Sequence, residues 1–183
     1  INPDLRSAEL EYLVSHSEMA LAFVTAQRRE EVSTAAIAGG NPIACITPEE
    51  GCPALSRPAA ADAELGPSTE AALLYTSGTT GQPKGCVLSN EYFLHSGDWY
   101  RDTGGMIALQ DGQERMLTPL PVFHMNALSV SVMAMITVGG CLIILDRFHP
   151  RTWWQSVRDS RATCLHYLGV MPAMLMNAPE SEA

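Results

Sequence analysis

The chain has 183 residues, 46% of them hydrophobic, enough for a core that buries roughly 70% of the surface an unfolded chain exposes, which excludes a wholly disordered chain. Eleven Lys plus Arg against twenty Asp plus Glu give a net charge of −9 without long like-charged blocks, which argues against nucleic-acid binding through a basic surface. Five cysteines, at 45, 52, 86, 141 and 164, form no C-x-x-C pair and no His/Cys cluster at zinc spacing, the pattern of reduced thiols in a cytoplasmic protein.

Ile1, Asn2, Pro3, Asp4 and Leu5 carry neither the charged nor the apolar segment of a signal peptide, so none is expected. Ser7 is predicted to cap a short helix whose Leu10, Leu13 and Val14 share a face, followed by an apolar strand from Ala20 to Val24. Arg28 to Ala38 reads as a helix closed by Gly39-Gly40, and Ile43 to Ile46 as a second strand. A Pro- and Ala-rich connecting loop then runs from Thr47 to Ser68. Strands are expected at Ala71–Tyr75 and Gly85–Leu88, with Asn90 capping the helix that follows.

Met116-Leu117 reads as a strand end before Pro119 and Pro121. Ala127 to Leu145 has no formal charge and is long enough on paper to cross a bilayer. Ser129, Ser131, Thr137 and Gly139-Gly140 interrupt it, so the expectation is a buried helix followed by a buried strand, with no membrane span. Pro150 suits the first turn of a helix in which Trp154 and Val157 face one way, and Thr163–Leu168 returns as a strand. Pro172 starts a last helix reaching about Ala178. This alternation predicts an α/β fold, a mostly parallel sheet with helices on both faces.

The chemistry concentrates where the strand Leu73-Leu74-Tyr75 runs into Thr76-Ser77-Gly78-Thr79-Thr80-Gly81-Gln82-Pro83-Lys84-Gly85. Glycines let successive N–H groups converge on an anion, and the hydroxyls of Thr76, Ser77, Thr79 and Thr80 add donors. Lys84, the only lysine in the chain, adds a compact positive charge. An ordinary surface turn would use the same residue types. The Walker pattern is not met, because Pro83 stands where glycine would precede the lysine and Gly85 replaces Ser/Thr, nor is the dinucleotide G-x-G-x-x-G spacing.

Tyr75 to Gly85 resembles the signature loop of the AMP-forming adenylating enzymes, the acyl-CoA synthetase or AMP-dependent synthetase and ligase family. Pro119-Leu120-Pro121-Val122-Phe123-His124 is similar to the segment that family places beside its acyl pocket, and Asn2 to Leu10 resembles a stretch upstream of the loop. Met125-Asn126 after His124 resembles the carnitine/crotonobetaine-CoA ligase group. The resemblance runs from residue 2 to about residue 177. It implies part of a large N-terminal adenylation domain over 1–183: an upstream strand and helix part at 1–46, the connecting loop at 47–68, and the phosphate loop and acyl-pocket part at 69–183. The mobile C-terminal domain is expected to be absent, as in a fragment of a larger enzyme.

The resemblance further implies that Thr76, Ser77, Gly78, Thr79, Thr80, Gly81 and Lys84 bind the β- and γ-phosphates of ATP with Mg2+, and that His124 lies near the acid. The implied reaction turns a small-molecule carboxylic acid and ATP into an acyl-adenylate, then passes the acyl group to coenzyme A. No catalytic residue is assigned. A non-catalytic nucleotide-binding or interaction module is the alternative, and a phosphotransferase of another loop type is disfavoured by Pro83 and Gly85. Exposed strand edges in a fragment would favour a homo-oligomer.

The remaining polar and soft residues are read as structural. His16, His95, His149 and His166 sit at no ligand spacing. Met125, Met133, Met135, Met171, Met174 and Met176, with Trp153-Trp154, are expected in packing. Asp111 and Glu114 would serve acid–base chemistry only if buried together, and a solvated loop is expected instead.

Overall fold

The computed structural model describes residues 1–51, 64–76 and 82–178, in two compact units, Ile1–Leu65 and Gly66–Ala183. In the first, helices α1 (Ser7–His16) and α2 (Arg29–Ala38) pack with a parallel pair of strands, β1 (Leu21–Phe23) and β2 (Ala44–Ile46). Leu10 and Val14, one helical turn apart, are buried with Ala22, Val32, Ala35 and Ala36. The helix cap is Arg6 rather than Ser7, because the Glu9 carboxylate reaches back and accepts the Arg6 N–H at 2.9 Å. The loop expected over 47–68 begins with a 3-10 turn, Pro48–Glu50, and its residues 52–63 lie outside the described residues.

The second unit holds a hairpin, β3 (Glu70–Thr76) and β4 (Lys84–Ser89), and a sheet ordered β6-β5-β7 from β5 (Arg115–Thr118), β6 (Cys141–Ile144) and β7 (Cys164–Leu165). All pairs in the three-stranded sheet are parallel, as expected, whereas β3 and β4 run antiparallel. The connection between β3 and β4 is residues 77–83, and a parallel crossover needs about a dozen or more. Helix α3 (Asn90–Thr103) follows β4 with no intervening residue, and its cap is Ser89, whose hydroxyl accepts the Tyr92 N–H at 3.3 Å. Asn90 instead donates from its amide to the Gly66 carbonyl at 3.1 Å.

Strand β5 is covered on both faces. Met116 joins a cluster with Ala134, Met135 and Val138, against which Tyr100 of α3 packs, and its neighbour Leu117 joins Trp153 and Met171. Successive strand residues point to opposite faces, so one strand anchors two cores. The first cluster draws on helix α4 (Met133–Thr137), the second on α5 (Trp153–Ser160) and α6 (Met171–Met176).

Ahead of α4 the chain forms a π-helix over Asn126–Val132 rather than the α-helix its uncharged sequence predicts. Ser129 donates to the Ser96 hydroxyl of α3 at 2.7 Å, while Ser131 meets His166 beyond β7, so the wide turn is satisfied on two sides. Among the described residues no helix is long and apolar enough to cross a membrane.

Two further expectations shift. Trp153, not Trp154, is the core tryptophan, at 1% against 45% exposure, because Trp153 and Val157 lie at the i, i+4 spacing that stacks on one face. Strand β7 pairs only Cys164 and Leu165, with Met116 and Leu117. Its partner β5 ends at Thr118, where Pro119 has no N–H to extend the ladder.

Candidate functional site

The apolar run Leu73-Leu74-Tyr75 becomes a strand because β4 pairs with it residue by residue, Val87, Cys86 and Gly85 opposite in turn. Gly85 fits closely there: a β-carbon would come within 2.9 Å of the end of the Leu73 side chain, which would have to turn aside, and 3.4 Å of the Tyr75 ring. The last pair is Thr76 with Lys84, and the Thr76 hydroxyl donates to the Lys84 carbonyl at 3.5 Å. Both residues are exposed. The hairpin thus brings Thr76 and Lys84 together at the two ends of 77–83, a hydroxyl and a cation flanking the glycine-rich stretch of sequence. Ser77, Gly78, Thr79, Thr80 and Gly81 lie outside the described residues.

His124 belongs to a different segment, at the carboxyl end of the central parallel strand, where open α/β sheets place their ligands. Thr118, wholly buried, accepts the Leu120 N–H at 3.2 Å and turns the chain off the sheet. The His124 N–H donates to the Pro121 carbonyl at 3.0 Å, and its own carbonyl accepts the Leu128 N–H at 3.1 Å. Its exposed ring sits 4.7 Å from that of Phe123, tilted by 53°. The neighbouring Met125 sulfur accepts the Tyr92 hydroxyl at 3.0 Å, tying the start of α3 to the histidine segment. The path from Lys84 to His124 is therefore β4, the first turn of α3, and one side-chain bond.

Of the residues read as structural, two carry more than expected. Glu114 is buried while Asp111 is exposed, so they form no acid–base pair. One Glu114 oxygen accepts the Gln110 N–H at 2.7 Å and the other the Thr163 hydroxyl, which fastens the start of β5 to β7. His166 is half-buried, with Nδ1 2.5 Å from the Ser131 hydroxyl, and burial holds its pKa below the ordinary value of 6.5. No spacing in the sequence pairs 131 with 166; the only local signal is the histidine's place at the end of an apolar strand. His149 bonds Asp146 at 3.2 Å in an exposed pair. Among the described residues no group of three His, Cys, Asp or Glu side chains could hold a metal ion. Met135 and Met171 pack in the two cores, whereas Met174 and Met176 are exposed.

The model of the family described as AMP-binding enzyme matches residues 1–183. The chain is 30% identical over 191 aligned residues to the sulfoacetate–CoA ligase of Cupriavidus necator, covering 100% of this chain and 36% of that protein. It is 32% identical over 111 residues to the crotonobetaine/carnitine–CoA ligase of Citrobacter koseri, covering 61% of this chain and 21% of that one. The fold matches O-succinylbenzoate coenzyme A synthetase from Bacillus subtilis, solved with ATP and a magnesium ion, at a TM-score of 0.77 and 21% identity, over 98% of this chain and 35% of that one. The chain thus spans about a third or less of the length of these relatives.

Proposed function

Because the chain belongs to the AMP-binding enzyme family, we propose that it supplies the triphosphate-gripping and acid-binding part of an AMP-forming acyl-CoA ligase. The observation that carries this reading is the pairing of Thr76 with Lys84 at the two ends of the Ser/Thr/Gly loop. In the proposed reaction a substrate carboxylate attacks the α-phosphate of ATP and pyrophosphate leaves, taking the electrons of the broken P–O bond. The thiol of coenzyme A, losing its proton, then attacks the acyl carbon of the acyl-adenylate, the acyl–oxygen bond breaks, and AMP leaves with its electrons. Negative charge gathers on the departing pyrophosphate, and donors already aimed at that position lower the barrier.

Thr76, Ser77, Gly78, Thr79, Thr80 and Gly81 would offer hydroxyl and backbone N–H groups to the β- and γ-phosphates, and Lys84 its ammonium. Magnesium would neutralise further phosphate charge. With no cluster of metal-ligating side chains among the described residues, the ion would be held chiefly through the nucleotide. His124, at the carboxyl end of β5, would face the acid. A cytoplasmic setting is part of the same proposal.

Calorimetric titration of Mg-ATP into the chain and into Lys84→Ala, at low ionic strength so that the phosphate contact is not screened, tests the reading. The expected loss in the variant is about tenfold or more, roughly 1.4 kcal/mol. Equal affinity in both proteins overturns the assignment of Lys84. Acid-dependent exchange of pyrophosphate into ATP then separates a working ligase from a nucleotide-binding module, which binds but does not exchange.

A further inference from the structure

We propose that the groove between α5 and α6 receives helix α3 of a second copy of this chain, joining the copies through two different surfaces. The groove has a volume of about 960 Å3, and its sides come from both helices and the turn ahead of α5. Trp154 of α5, Val170 just before α6 and Met174 within it supply apolar wall, and all three are exposed. Val170 and Met174 stand one turn apart, the spacing that puts two side chains on one face. A trough between two helices with apolar sides is the shape into which a third helix packs. The charged side chains that line it are Arg151 and Arg158, with no acid beside them. Neither arginine makes an ion pair among the described residues, and Arg158 reaches only the Gln155 side-chain oxygen, at 3.4 Å.

Two cations on an apolar trough call for an acidic helix, and the chain itself carries one. On α3, Glu91 and Asp98 stand seven residues apart, two turns or about 10 Å along the axis, on one exposed line. The same step of seven separates Arg151 from Arg158. Leu94 and Trp99, both more than half exposed, flank the acids and offer apolar surface to Trp154, Val170 and Met174. The opposite side of α3 is already occupied, with Gly97 against Met133 and Thr137 and Tyr100 against the Met116 cluster. Of the described α-helices, α3 alone has acidic residues at this step. Glu91 makes no ion pair among the described residues, and Asp98 shares an exposed one with Arg101 at 3.0 Å. Helix and groove are different surfaces, so the contact is heterologous.

Sedimentation velocity of the whole 183-residue chain over a dilution series tests the contact. The chain is expected to associate reversibly, and more weakly at high salt, because the paired charges lie at the surface. Arg151→Glu with Arg158→Glu sets like charges face to face, and so does Glu91→Arg with Asp98→Arg. Each double variant alone is expected to associate at least about tenfold more weakly than the parent. Mixing the two should restore association, since the reversed groove then meets a basic α3 and the unchanged groove an acidic one. All four side chains are exposed, so the substitutions leave the fold in place. A parent chain that stays monomeric throughout the series overturns the proposal, whatever the variants do. So would double variants that associate as the parent does, the result expected of pairing through strand edges, or a mixture as weak as its components. Thr76, Lys84 and His124 take no part, so association and Mg-ATP binding stand or fail independently.

Discussion

Gly97 of α3 lies against Thr137 of α4 so closely that a β-carbon at 97 would come within 2.2 Å of the threonine hydroxyl oxygen and 3.0 Å of the Met133 carbonyl oxygen. Helix propensity alone would make Gly97→Ala stabilising by up to about 1 kcal/mol. Overpacking reverses the sign, and the expected net effect is a loss of about 1–3 kcal/mol, seen as a lower urea midpoint. Adding Thr137→Ala removes only one of the two obstructions. Partial recovery is expected, and a stabilised single variant would show that α3 and α4 are not held at this separation.

The two adjacent tryptophans should behave as opposites. Trp153 is buried against Leu117 and Met171, with the Phe148 ring 5.3 Å away, and Trp153→Ala is expected to cost about 3–5 kcal/mol. Trp154 is 45% exposed, and Trp154→Ala should stay within about 1 kcal/mol of the parent. Denaturant unfolding of the pair decides which residue faces the sheet, and comparable losses would refute the assignment.

Replacing the Glu114 carboxyl group should be costly through its two hydrogen bonds. In Glu114→Gln one acceptor oxygen becomes an NH2 group facing either the Gln110 N–H or the Thr163 hydroxyl, for an expected loss of about 1–3 kcal/mol. Combining it with Thr163→Val should cost less than the two single changes added together, because the pair shares one bond. Strict additivity in a double-mutant cycle would show that the bond contributes nothing.

His166 makes stability fall on mild acidification. Burial lowers its pKa from 6.5, so as pH drops below about 6.5 the unfolded chain binds a proton that the folded chain still refuses. Stability present at pH 7 is lost progressively until the folded pKa is reached, and levels off below it. His166→Gln removes this slope. A variant whose unfolding midpoint drops between pH 7 and 5 as steeply as the parent's would show that His166 is not the group responsible.

Local patterns carried well from sequence to structure. The stretches at 71–75 and 85–88 are strands because each apolar or β-branched run has a partner of matching length, and Leu10 with Val14 marked the buried face of α1. Thr76 and Lys84 stood out through residue type alone, and the hairpin puts them in register. What escaped was relational. Strand direction in the hairpin follows from the brevity of 77–83, and the tryptophan that faces inward follows from where Leu117 and Met171 arrive. The π-helix changes a hydrogen-bond step that hydrophobic spacing does not register. The meeting of Ser131 with His166 needs both that helix and the truncated pairing of β7.

Ser89 ends β4 and caps α3 with the same residue, so the passage from sheet to helix contains no joint. A turn of even two free residues would absorb a movement of Lys84 by rotating about its own backbone. Here strand and helix form a single lever, with the loop lysine near one end, the Tyr92 hydroxyl just past the fulcrum on the Met125 sulfur, and Gly97 wedged farther out against Thr137. No linker residue therefore separates the strand that begins at Lys84 from the helix whose first turn is bonded to the neighbour of His124.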